Sequence, residues 1–76
     1  MTVLLAKRLV RAGEERRFEV RHQPGAGWQT TEVSGPEKPQ TALYTDWHRV
    51  ERVLRRFSQE ITELHREGWF EAEIAG

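Results

Sequence analysis

From Trp47 onward the apolar side chains fall into a helical rhythm. Trp47, Val50, Leu54, Phe57, Ile61 and Leu64 recur at steps of three and four, and Val53 widens the stripe. Thr45 or Asp46 is placed to cap the start by accepting from an otherwise unpaired backbone N–H, and Gly68 to end the helix in a left-handed turn. Trp69 follows that glycine and is expected to cover Leu64 as the hydrophobic contact of a Schellman end. The spacing predicts one long capped helix whose apolar stripe must pack on another element.

Upstream the rhythm changes to period two. Val3 to Val10 is rich in aliphatics, Ala12-Gly13-Glu14 offers a turn, and Arg16 to His22 alternates, with Phe18 and Val20 on one side and Arg17, Glu19 and Arg21 on the other. Two antiparallel strands joined near Gly13 follow from this pattern. Pro24-Gly25-Ala26-Gly27 is a second turn signal, and Trp28 to Val33 reads as a third strand. Ser34 to Gln40, with two prolines and no apolar anchor, reads as a solvated loop, and Thr41 to Tyr44 as a short strand feeding the helix. After Gly68 alternation resumes, with Phe70, Ala72 and Ile74 on one side, which leaves an edge strand and a docked tail both open.

No internal repeat or linker divides the chain, so residues 1–76 are expected to form a single α+β domain. Its expected architecture is a small antiparallel sheet of three to five strands with one long helix packed on one face. The expected core is Leu5, Phe18, Val20, Trp47, Val50, Leu54, Phe57, Ile61 and Leu64.

Length and composition narrow the function. A chain of 76 residues buries only about 60% of its unfolded surface, which makes help from a partner subunit plausible. Cysteine is absent, which removes disulfides, thiolate metal sites and a cysteine nucleophile, and points to the cytoplasm. The apolar run Val3 to Ala6 is too short for a signal-peptide core or a membrane span. Twelve basic and twelve acidic residues cancel, but residues 1–22 hold six basic and three acidic side chains, and residues 45–76 five and seven.

Two charged constellations carry candidate binding chemistry. Lys7, Arg8, Arg11, Arg17 and Arg21 give the first hairpin a basic surface suited to phosphate oxygens, and Trp28, beside a glycine-rich turn, offers a ring that can stack on a base or pack as core. Glu14, Glu15 and Glu19 interrupt that surface. On the helix, Arg49, Arg52 and Arg56 precede Glu60, Glu63 and Glu67, an order that opposes the helix macrodipole. Such an order describes either a solvated face, with Glu51–Arg55 and Arg56–Glu60 paired along the helix, or an antiparallel dimer interface built from those six residues. His22, His48 and His65 share no ligand spacing, and no serine or threonine sits in a nucleophile motif, so catalytic, metal and cofactor sites are not expected.

The order Arg16-Arg17-Phe18-Glu19-Val20, the Gly27-Trp28 turn, a strand into a glycine-containing loop and a helix ending in Gly68-Trp69 resembles the WGR domain family across about residues 16–72. Phe18 and Val20 match that family's opening strand, and Gly68-Trp69 stands where its helix ends in Gly-Tyr. The defining Trp-Gly-Arg tripeptide is missing, and Ser34-Gly35-Pro36 occupies its slot. The resemblance implies a small sheet-and-helix fold, while the lost tripeptide removes the part of the family pattern that faces nucleic acid. The expectation is a non-enzymatic binding module contacting nucleic acid through the basic hairpin. The alternative is a homodimeric interaction or structural domain with no nucleic-acid ligand, and neither reading involves a membrane or a small-molecule substrate.

Overall fold

The structure, a computed structural model, describes residues 2–73. Five strands and one helix follow in the order β1 (Thr2–Arg11), β2 (Glu14–Gln23), β3 (Gly27–Ser34), β4 (Gln40–Tyr44), α1 (Trp47–Arg66) and β5 (Phe70–Ala72). The strands form one sheet in the order β4-β3-β2-β1-β5, every neighbouring pair antiparallel. This is the α+β architecture expected of the alternation and the single helical stripe. The segment after Gly68 forms the edge strand β5, and Ile74, expected to continue its alternation, lies outside the described residues.

Register fixes which side chains share a face, because directly paired residues of antiparallel strands point the same way. Phe18 pairs with Lys7 and Glu32, and Val20 with Leu5 and Thr30, so these positions look toward α1. Arg17 pairs with Arg8 and Val33, and Arg21 with Val3 and Gln29, so these look away from it. A β-bulge between Val3 and Leu5 makes Leu4 the extra residue. Without it Val3 and Leu5 would share a face; with it, Val3 turns to the side opposite the helix.

The core lies between α1 and the centre of the sheet. Leu9, Phe18, Val20, Val50, Val53, Phe57 and Leu64 are buried, and Leu5, Trp28, Tyr44, Leu54, Ile61 and Trp69 pack against them half-buried. Phe18 and Phe57 meet edge to face, with ring centroids 5.1 Å apart and planes at 60°. Leu5, Leu54 and Ile61, expected in the core, are only half-buried at its border, and two further differences stand out. Trp47 is not core: as the first residue of α1 it caps Trp28 of β3, centroids 5.5 Å apart, and stays 42% exposed. Leu9, which no stripe singled out, is fully buried because its register partner Arg16 brings it under the C-terminal half of the helix.

Both helix ends close as their residues dictate. The Asp46 carboxylate accepts from the backbone N–H of His48 at 3.0 Å, placing a negative group at the N-terminus where the first turn has none of its own. At the other end Gly68 takes φ of +93°, its N–H donates to His65 C=O at 3.2 Å and the Trp69 N–H donates to Leu64 C=O at 2.9 Å, the paired bonds of a Schellman motif. The first hairpin is tighter. Ala12 and Gly13 are its two loop residues, both with positive φ, and Ala12 at +49° is the non-glycine residue of the described chain held there.

Two stability experiments follow. Phe57→Ala should cost about 3–5 kcal/mol and Leu9→Ala about 2–5 kcal/mol by urea unfolding, while Trp47→Ala should cost well under half of either. Ala12→Asn should raise the melting temperature, because asparagine tolerates the left-handed region that costs an alanine about 1–2 kcal/mol. A lower melting temperature for Ala12→Asn would contradict the two-residue turn.

Candidate functional site

Among the described residues, one face of the sheet is covered by α1 and the other is open. Its central row runs along β2 as Glu15, Arg17, Glu19 and Arg21, a strict alternation of charge. Across the strands, Arg21 stands in line with Val3 of β1, Gln29 of β3 and Leu43 of β4. Glu19 lies between Ala6 and Thr31, and Arg17 between Arg8 and Val33. Glu15 pairs with Val10, which in turn neighbours Phe70 of β5. Phe70 is 60% exposed, Leu43 59% and Val3 53%, so large apolar side chains ring a charged centre.

The charges on this face are largely satisfied within the chain. Arg8 donates to Glu15, and Arg21 donates to Glu19 at 3.0 Å. Arg17 differs: its Nε is buried and has no hydrogen-bond partner among the described residues. At one end of the face, Gly35 and Pro36 with Arg8, Val10 and Glu15 wall a shallow cleft of about 530 Å³.

Of the residues proposed to contact phosphate, Arg8, Arg17 and Arg21 share the open face. Lys7, Arg11 and Trp28 sit on the helix side. Lys7 makes a 2.6 Å ion pair with Glu71 of β5, and the Arg11 guanidinium lies beside Gly68 at the helix end. Trp28 is held between His22, centroids 5.0 Å apart, and Trp47.

The helix charges also reach elsewhere than their spacing implies. Arg16 donates to Glu32 of β3 and to Glu60 of α1, both at 3.1 Å, and Arg56 lies 3.6 Å from Glu32 while stacking over Phe57. Glu51 pairs with His48 rather than with Arg55, and Glu63 with Arg66. Arg56 and Glu60 are therefore committed to the sheet, leaving Arg49, Arg52, Glu63 and Glu67 as the outward part of that flank.

Sequence reasoning missed Val3, Leu43 and Phe70 as parts of one surface with the β2 row. The alternation from Glu15 to Arg21 was readable, but the strand order that sets Leu43 and Phe70 beside it was not. Among the described residues no group of three or more His, Asp or Glu side chains is placed to hold a metal ion, and no helix is long and apolar enough to cross a membrane. Comparison with known protein families, with curated proteins and with solved structures gives no match. The WGR resemblance therefore rests on the residues quoted for it.

The presence of Phe70 on the face depends on β5 staying docked, and the Lys7–Glu71 ion pair joins β5 to β1. The Lys7 ammonium, by hydrogen bond and by charge, holds the Glu71 carboxyl below its ordinary value, with a smaller contribution from His65. A carboxyl lowered in the folded state gives its stabilisation in full above its ordinary value and loses it as pH falls through the depressed one. Amide protection factors at Phe70 to Ala72 should fall in that acidic window before those of the central strands, and Glu71→Gln should remove this local pH dependence.

Proposed function

We propose that this chain is a non-enzymatic interaction module whose binding surface is the open face of its sheet, and that the surface takes another polypeptide. The observation that carries this reading is the composition of the face. Val3, Leu43 and Phe70 stand exposed around a charged centre in which three arginines, Arg8 of β1 with Arg17 and Arg21 of β2, meet two glutamates, Glu15 and Glu19, leaving one net positive charge. An apolar ring with interspersed opposite charges suits a protein surface better than a polyanion, which rewards a uniformly basic one.

Nucleic-acid contact is the second reading, favoured by Arg17, which makes no ion pair among the described residues. With Arg8 paired to Glu15 and Lys7 to Glu71, about one phosphate contact remains, and the log–log salt slope of any oligonucleotide affinity should be about −1 or shallower. A slope steeper than about −2 would move the assignment to nucleic acid.

Photo-crosslinking tests the first reading directly. A crosslinking side chain in place of Leu43 or Phe70 should form polypeptide adducts in cells, and one in place of Gln59 on the outer helix surface should not. Adducts from none of these positions, or adducts removed by nuclease, would overturn it.

A further inference from the structure

We propose that the polypeptide on the open face is a second copy of this chain, laid face to face with the two β2 strands antiparallel. The inference rests on the reading of that face as a polypeptide-binding surface. Its warrant is the order of charges. A twofold axis lying between the sheets, perpendicular to β2 and passing over Phe18, sets Arg17 of each copy over Glu19 of the other and Glu15 over Arg21. Parallel β2 strands would set Glu over Glu and Arg over Arg. Only the antiparallel stacking turns the alternation into four attractive pairs, and like charges face to face cost far more than such pairs gain.

The neighbouring strand agrees with the same axis. On β1 the open-face positions are Val3, Ala6, Arg8 and Val10, which places Val10, with Phe70 beside it, over Val3 of the other copy. Exposed apolar groups thus meet each other, which accounts for their being 53% and 60% exposed at Val3 and Phe70 in the single chain. The Glu19 carboxylate, with about four lone-pair sites, can keep Arg21 and still accept from Arg17 of the other copy.

Size is adequate. With the axis over Phe18, β1 and β2 lie over their counterparts along their length, β3 over part of its length and β4 and β5 hardly at all, so at about 4.8 Å between strands and about 3.3 Å per residue the opposed area has a flat footprint of roughly 400 Å². Side-chain relief brings this toward the lower end of specific interfaces, about 600–1,000 Å² per partner. The interface thereby moves from the helix flank that the sequence pointed to, where Arg56 and Glu60 are already engaged with β2 and β3.

Sedimentation of the purified chain with charge exchange tests the arrangement. The native chain should dimerise with rising concentration. Arg17→Glu and Glu19→Arg should each weaken the dimer at least about tenfold, since each sets like charges in contact. An equimolar mixture of the two variants should restore dimerisation, because each then faces its opposite. Circular dichroism confirms that both variants remain folded, and if Glu19→Arg does not fold, Glu15→Arg mixed with Arg21→Glu poses the same question. A native chain that stays monomeric at high micromolar concentration overturns the proposal, as does a mixture of folded variants that stays monomeric. If the crosslinks from Leu43 and Phe70 then still reach another polypeptide, the second copy falls while the interaction surface stands.

Discussion

A 20-residue helix is about 30 Å long and, with its side chains, about 10–12 Å wide, and α1 is what this chain has to cover a five-stranded sheet. It can cover one face. Every buried aliphatic or aromatic side chain of the described residues therefore gathers between α1 and the middle of β1 and β2, where Phe18 and Phe57 meet. The arrangement is diagonal: α1 begins over β3, where Trp47 rests on Trp28, and ends near β5, where His65 comes within 4.0 Å of Glu71. Turning the helix on its axis would pull Phe57 off Phe18 and expose Val50, so the position of the helix is set mainly by burial.

Ion pairs refine that position more than they stabilise it. Arg16, Glu32, Glu60 and Arg56 form a small network along the rim of the covered face, all partly exposed, and pairs of that kind contribute little net energy. Their geometry still matters. Arg16 reaches one carboxylate on β3 and one on α1 at the same distance, which ties the rotation of the helix to the edge of the sheet. The reversed charge order on α1 is explained by the same contacts, because its first acidic member answers a sheet arginine, while Asp46 at one end and Arg66 at the other supply the charges the macrodipole favours.

What could be read from the sequence divides along the range of the interactions. The helix and its Schellman end are local, and spacing alone carried them, as it narrowed the cap to Thr45 or Asp46. The hairpin partition of Phe18 and Val20 from Arg17, Glu19 and Arg21 was equally local and appears in the register as read. The positions that escaped depend on non-local pairing. Leu9 is buried because of where β2 lies relative to α1, and Val3 is exposed because Leu4 is bulged, a shift of register that no periodicity announces. Lys7 and Arg11 parted from Arg8 for a simpler reason: adjacent residues of a strand face opposite ways, so a basic run in sequence is not a basic patch in space. Trp47 matched the stripe yet lay beyond the end of the surface it was meant to enter.

The sheet has three surfaces on which another chain could add, and they are not equally available. On its outer side β1 is covered by β5 only from Arg8 to Val10, but the Leu4 bulge interrupts the remainder. The opposite edge, β4, is five residues long and is preceded by Lys38 and Pro39. Short strands, bulges, lysine and proline are the devices that discourage pairing at an edge, where association is open-ended and leads to fibres. The open face has no such protection. Under the proposed twofold pairing, association there consumes the surface of both copies and stops at two, whereas addition at either edge would be open-ended, so the blunted edges and the exposed Val3, Leu43 and Phe70 fit that proposal.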